Sequence, residues 1–218
     1  IIRAAAIAPD GTSSSVITNS YFVGNDMANK YKGATVASLV MDPNDLLDYN
    51  TGILALGAYY DEWRKTAEAK QIIQSKAYWN YEGNYTQSGK GWERQATMDY
   101  IDPSTGNVEF SAPMGVRLHG GASRMYGQKS FKFYMREEYG QKNLKYALIP
   151  GDVDKDGKQI KKYKGFMLRN GGNDTELTKI RDVFIQSCIT DRAYGTQAAR
   201  PCVLFLNGEY WGLYNLTE

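Results

Sequence analysis

The sequence predicts a mixed α+β fold: a mixed or antiparallel sheet with one main packed helix, and a β-hairpin at the N-terminus. Three observations carry this. Short apolar runs of strand length alternate with turn dipeptides from Thr35 to Thr217. Leu177, Ile180, Phe184 and Cys188 recur at spacings of three and four, which places them on one face of a helix over Thr178 to Asp191. Asn207-Gly208 stands between two apolar runs, the strongest short hairpin signal a sequence offers.

The elements follow in order. Ile2 to Ile7 and Ser15 to Val23 read as two strands joined at Asp10-Gly11-Thr12. A lone hairpin is marginal in water, so this pair must pack on something else. Residues 24–33, with Gly24, Asn25, Asp26 and Gly33, read as a linker. Thr35–Met41 reads as a buried strand, followed by a turn at Pro43 and a short Leu46-Leu47 segment. Asp61 to Ser75 is a first helix with a poorly defined apolar face, and Asn80 to Gly91 a polar, aromatic loop. Glu93–Ile101, Val108–Ser111, Gly115–His119, Lys129–Glu137 and Phe166–Arg169 alternate as strands around turns at Asp102-Pro103, Thr105-Gly106 and Gly120-Gly121. After the helix, Cys202–Leu206 and Glu209–Thr217 form the closing hairpin.

Composition narrows the function classes. The 218 residues are 42% apolar and 23% charged, which is enough for one substantial core. No apolar run approaches the about 18 residues of a membrane-spanning helix. A net charge of +2 exerts no global pull on nucleic acid, so any anion site must be local. Lys155, Lys158, Lys161, Lys162 and Lys164 cluster, but without interleaved stacking aromatics they read as a solvated loop. Asp152, Asp154, Asp156 and Gly157 match the first half of a calcium loop, but its twelfth position is Tyr163, so an exposed turn is expected. The two cysteines, Cys188 and Cys202, read as small buried residues, with a disulfide left open.

The chemistry concentrates between Arg117 and Met135. A strand leads into Gly120-Gly121, then Ser123 and Arg124, then a second strand with Lys129 and Lys132. Glycines that expose backbone N–H groups, beside fixed positive charge, are the parts needed to hold a polyphosphate. Strand alternation puts Lys129, Phe131 and Phe133 on one face and Ser130, Lys132 and Tyr134 on the other, so the two lysines cannot reach one phosphate together. Lys129, nearer the glycine turn, is preferred and Lys132 is second. His119, the sole histidine, is a candidate phosphate donor or base, with a hydrogen-bonded structural role the simpler account. Asn170, Asn173 and Asp174 are placed to cap the following helix. Arg181 has two open readings, a phosphate ligand or an ion-pair partner of Asp182 or another buried carboxylate.

Three motifs in this order, Arg117–Met135, Leu-Arg-Asn-Gly-Gly-Asn-Asp at 168–174 and Asn-Gly-Glu-Tyr-Trp-Gly-Leu-Tyr at 207–214, resemble the CotH-like kinase family, named after a spore coat protein. The resemblance covers roughly the last 180 residues. Where most members carry Arg-Gly-Asn-Ser-Ser, this chain reads His119-Gly120-Gly121-Ala122-Ser123, with one hydroxyl fewer. Residues 1–23 are similar to the final strands of an Ig-like module of the chitobiase C-terminal type.

The resemblance implies that residues 34–218 form the N-terminal part of a kinase-like domain, an atypical protein-kinase N-lobe, whose second lobe and catalytic acidic residues lie outside the chain. It implies ATP with Mg2+ as the nucleotide of a longer, exported Ser/Thr protein kinase at a bacterial cell or spore surface. A protein substrate and cell-wall or polysaccharide-associated proteins are its implied partners. The fragment itself is expected to be inactive. Lys129, Lys132, Ser123, Arg124, Gly120, Gly121, Arg181 and Glu218 are the expected nucleotide contacts, Glu218 at the junction with the adenine-binding hinge. The alternative is a non-catalytic surface or carbohydrate-associated module, with Tyr78, Trp79, Tyr81, Tyr85 and Trp92 as stacking candidates.

Overall fold

The computed structural model describes the chain apart from Asn25, Asp191 and Ala193, with only the backbone of Met27. The linker at 24–33 and the helix at 178–191 each include one of these positions, which lie outside the described residues.

Two three-residue strands, β1 (Ile2–Ala4) and β2 (Ile17–Asn19), pair antiparallel. One helical turn, α1 (Met27–Lys30), leads into β3 (Thr35–Met41). Three short helices follow: α2 (Pro43–Leu47), α3 (Gly57–Trp63) and α4 (Ala67–Gln74). Thr66 splits the helix expected over Asp61 to Ser75, because its hydroxyl accepts from Ala69 N–H and starts α4 afresh. Then come β4 (Arg94–Asp102), β5 (Asn107–His119), β6 (Ser130–Tyr134), β7 (Gly165–Arg169), α5 (Arg181–Ser187), β8 (Ala199–Leu206) and β9 (Glu209–Thr217). The closing hairpin turns as expected, with Asn207 and Gly208 both at positive φ, 51° and 90°.

Seven strands close into a barrel in the order β3-β4-β5-β6-β7-β9-β8. Six junctions are antiparallel, and an odd ring then forces one parallel pair. That pair is β3 with β8, Thr35 opposite Cys202 through Leu39 opposite Leu206. The barrel replaces the expected α+β sheet with one main packed helix, and with it the expected likeness to an atypical protein-kinase N-lobe. Helix α5 is only seven residues long, and its intended core stripe faces outward: Leu177 is 68% exposed, Ile180 52% and Phe184 62%. The core comes instead from inward-facing strand residues, with Leu39, Met98, Tyr100, Met114, Phe131, Phe133, Phe166, Leu204, Tyr214 and Leu216 among the fully buried. Leu46 and Ile53 join this core from one end, and Leu144, Leu148, Ile149 and Tyr163 from the other.

The N-terminal segment packs on the outside of the barrel. Ser20 N–H donates to the buried Asp99 carboxylate at 2.6 Å, and the rings of Phe22 and Tyr31 meet Phe205 edge-on. Tyr31, Val36, Ile101 and Val203 form a second, smaller core there. Both cysteines are free, Cys202 buried and Cys188 exposed. Among the described residues no helix is long and apolar enough to cross a membrane.

The order of strands also shapes one face. Because β9 lies between β7 and β8, the chain joining those two must cross outside β9. Asn215 and Thr217, outward-facing on β9, are buried. Asn215 donates from Nδ2 to the Lys179 carbonyl at 2.6 Å, and Gln197 donates to the Glu218 carbonyl at 3.1 Å.

Candidate functional site

Strand register decides which of the candidate residues meet. The alternation along β6 is as the sequence suggests. Phe131 and Phe133 fill the barrel, and Lys132 points outward, opposite Arg117 on β5 and Met167 on β7. His119 lies two residues along from Arg117 on the same outer face, and Arg169 occupies the next outward position on β7. Arg117 lies over the Tyr134 ring at 4.0 Å and is anchored by Glu93, 3.4 Å from its Nε. Arg169 pairs with Asp182 at the start of α5.

Lys132 is different. Among the described residues it has no hydrogen bond or carboxylate partner, only the Tyr134 ring, over which its ammonium lies 5.8 Å from the centre. Burial lowers the His119 pKa, and the charges of Lys132, Arg169 and Arg124 push it the same way, so the imidazole is neutral at physiological pH. Beside Lys132, a depression of about 270 Å³ is lined by Tyr134, Lys164, Gly165, Met167 and Glu218. The face therefore carries unneutralised positive charge next to a neutral histidine, which suits an anionic oxygen ligand.

Lys129 sits on the other side of the strand. It is 8% exposed, donates to the Tyr126 carbonyl at 2.8 Å and lies 4.8 Å from the centre of the Tyr85 ring. Desolvation lowers its pKa to about 8. Its own carbonyl accepts from the buried Tyr214 hydroxyl at 3.0 Å. The glycine turn is a short 3-10 segment over Ala122–Met125. Gly120 takes φ 118°, and a side chain there would lie 2.4 Å from Ser123 Oγ, whereas Gly121 has open space. Arg124 reaches away from the lysine face and donates to the carbonyls of Thr86 and Gln87.

Arg181 takes up the ion pair with another buried carboxylate, not with Asp182. Its guanidinium lies 3.1 Å from the buried Asp174 carboxylate, which also accepts from Thr178 Oγ1 and from Arg181 N–H. Asp174 is thus the cap of the helix start, and Asn170 ties the adjoining turns by bonding Ser130, Gln128 and Gly172. Glu218 faces Asp152. Burial raises both carboxyls, and Asp152 raises Glu218 further. Asp154 turns back on itself, accepting from the N–H groups of Asp156 and Lys158.

The structure therefore gathers Lys132 and Glu218, and leaves Lys129, Arg124 and Arg181 in separate structural tasks. Arg169 and Lys164 join the face although sequence reasoning did not select them. Alternation alone gives their side; only the pairing of β6 with β7 gives their neighbour.

The chain is thus a small, mostly antiparallel barrel with a basic outer face. Residues 116–218, from near the end of β5 to the last residue, match the family model described as CotH kinase protein, and this part of the chain is similar to that family. No curated protein matches the chain.

Proposed function

We propose that the outer face of β6 and β7 binds the phosphates of a nucleoside triphosphate, with Lys132 as the principal charge. The further reading is that this is the ATP of an exported CotH-like Ser/Thr protein kinase. The observation that carries the proposal is the position of Lys132: outward, without a carboxylate partner, between Arg117 and Met167, one outward position along from His119 and Arg169, and bordering the depression that ends at Glu218. A lysine held free of carboxylates on a rigid strand keeps its charge for a ligand, at no cost in breaking an existing pair.

Transfer chemistry also needs carboxylates to hold Mg2+ and to orient the acceptor hydroxyl. Of the carboxylates around this face, Asp182 is paired with Arg169, and Glu93 with Arg117 and Arg136. Among the described residues no group of three His, Cys, Asp or Glu side chains is placed to hold a metal ion. The face is accordingly assigned phosphate binding, and the metal is not assigned to these residues.

Calorimetry with MgATP tests the reading. Saturable binding that Lys132→Ala weakens roughly tenfold or more, and that Lys129→Met leaves intact, supports it. Binding indifferent to Lys132 removes it.

A further inference from the structure

A second groove lies where the helical segment after β3 meets the glycine turn. Its walls are α3, α4, the 78–87 turns and Gly121, and its volume is about 650 Å³, within the range of small-ligand sites. It shares no lining residue with the Lys132 depression.

Three rings stand in it: Trp63, Trp79 and Tyr81. Trp63 and Tyr81 are set against each other at 5.5 Å and a 46° tilt, with Tyr60 packed behind both. Trp79 is 50% exposed and braced edge-on by Tyr78 at 5.2 Å. These rings are fixed from below. The Tyr85 hydroxyl donates to the Tyr81 carbonyl at 2.8 Å, and Arg124 clamps the carbonyls of Thr86 and Gln87 across the groove. An ordered aromatic platform costs little entropy to use.

Planar polar groups surround the rings. The side chains of Asn80 and Glu82 form no hydrogen bond or ion pair among the described residues, the Gln87 side chain uses its amide N–H but leaves its oxygen free, and the Arg124 Nε is buried without a partner. Glu68 and Glu82 outnumber Arg124, so the groove repels anions and is unsuited to phosphates, uronic acids or nucleic acid. The combination needed is a neutral ligand with apolar C–H faces for the rings and a rim of hydroxyls that both donate and accept. An oligosaccharide has that chemistry. An extended proline-rich peptide would use the rings but would leave the amide, carboxylate and guanidinium groups with few partners.

The geometry points to a binding groove for a neutral oligosaccharide, centred on Trp79 and Tyr81. This assignment is independent of the phosphate face. It also re-sorts the aromatic residues. Tyr85 is 6% exposed and belongs to the core, and Trp92 packs on Tyr59 and Arg94 instead.

The test is a titration of the whole chain with cellohexaose, xylohexaose, mannohexaose and chitohexaose, followed by tryptophan emission and calorimetry. The groove predicts saturable binding of at least one of them. Trp79→Ala should weaken it roughly tenfold or more, as loss of a central aromatic anchor does, and Lys132→Ala should not change it. Glu82→Gln, an exposed and near-isosteric change, should weaken it as well and guards against a Trp79 variant that fails to fold. Absence of saturable binding to all four sugars overturns the inference. So does binding unchanged in both groove variants, or saturation by a proline-rich decapeptide where the sugars fail.

Discussion

Lys129 offers a test of the barrel that does not depend on function. The residue is 8% exposed, its ammonium has one carbonyl and one aromatic ring for company, and its pKa falls from 10.5 to about 8. Between those values the unfolded chain holds a proton that the folded chain has released. Stability must therefore rise with pH through that window, the sign opposite to that of a lysine gaining a salt bridge. Integrating the two titrations gives about 2 kcal/mol of added stability between pH 7 and pH 9.5. Lys129→Met keeps the volume and removes the titration. Urea unfolding of both proteins across that range should show the wild type gaining about 2 kcal/mol on the variant, with equal m values. The tyrosines raised by burial, such as Tyr139 at about 12, are common to both proteins and cancel in the difference. Parallel stability curves would refute the buried, poorly solvated amine, and with it the inward placement of Lys129.

Two further predictions concern the ion cluster around Glu93. Its side chain is 1% exposed and is held by Arg136 through two bonds of 2.6 and 2.9 Å, with Tyr139 at 3.1 Å. Burial by itself would raise this carboxyl, but those bonds and the Arg136 and Arg117 charges outweigh it and hold it below its ordinary value. Its contribution is thus present above the unfolded carboxylate pKa and is lost as pH falls through the folded value. Arg136→Met should cost roughly 3 kcal/mol at neutral pH by stranding the buried charge, and the loss should shrink on acidification; a loss independent of pH would contradict the assignment. A side chain at Gly115 would lie 2.5 Å from Glu93 Oε1 and 2.6 Å from Tyr139. Gly115→Ala should therefore destabilise by roughly 1–3 kcal/mol although its φ is ordinary, and a neutral result in denaturant melts would show that the cluster can give way.

Much of the strand pattern was legible, and the architecture was not. Thr35–Met41 and Glu209–Thr217 coincide with β3 and β9, and the Asn207-Gly208 turn is where it should be, because local alternation and turn chemistry are written in adjacent residues. The parallel pairing of β3 with β8 joins residues more than 160 positions apart, and no local signal announces it. The mostly apolar run of β3, broken by Ser38, was one trace, since a strand buried on both faces needs cover on both. The helix failed for a different reason. A stripe at three and four residues shows that a helix has an apolar face, not that anything covers it, and Phe184 is left in solvent.

The candidate site was legible in the same partial way. The split of Lys129 from Lys132 follows from period-two alternation, but choosing between them required knowing which face is the barrel interior. Proximity to the glycine turn favoured Lys129, while closure of the barrel turned that residue inward and left Lys132 facing solvent. Arg181 had an open choice of partners, and the one it takes, Asp174, is the residue that also caps its helix.

The central claim is that phosphates bind outside the barrel at Lys132. A crystal structure with a non-hydrolysable ATP analogue tests it most directly. The account predicts phosphate density within hydrogen-bonding distance of Lys132 Nζ, on the outer face between His119 and Arg169. Density at the Gly120-Gly121 turn with Lys129 drawn out to meet it would contradict the account.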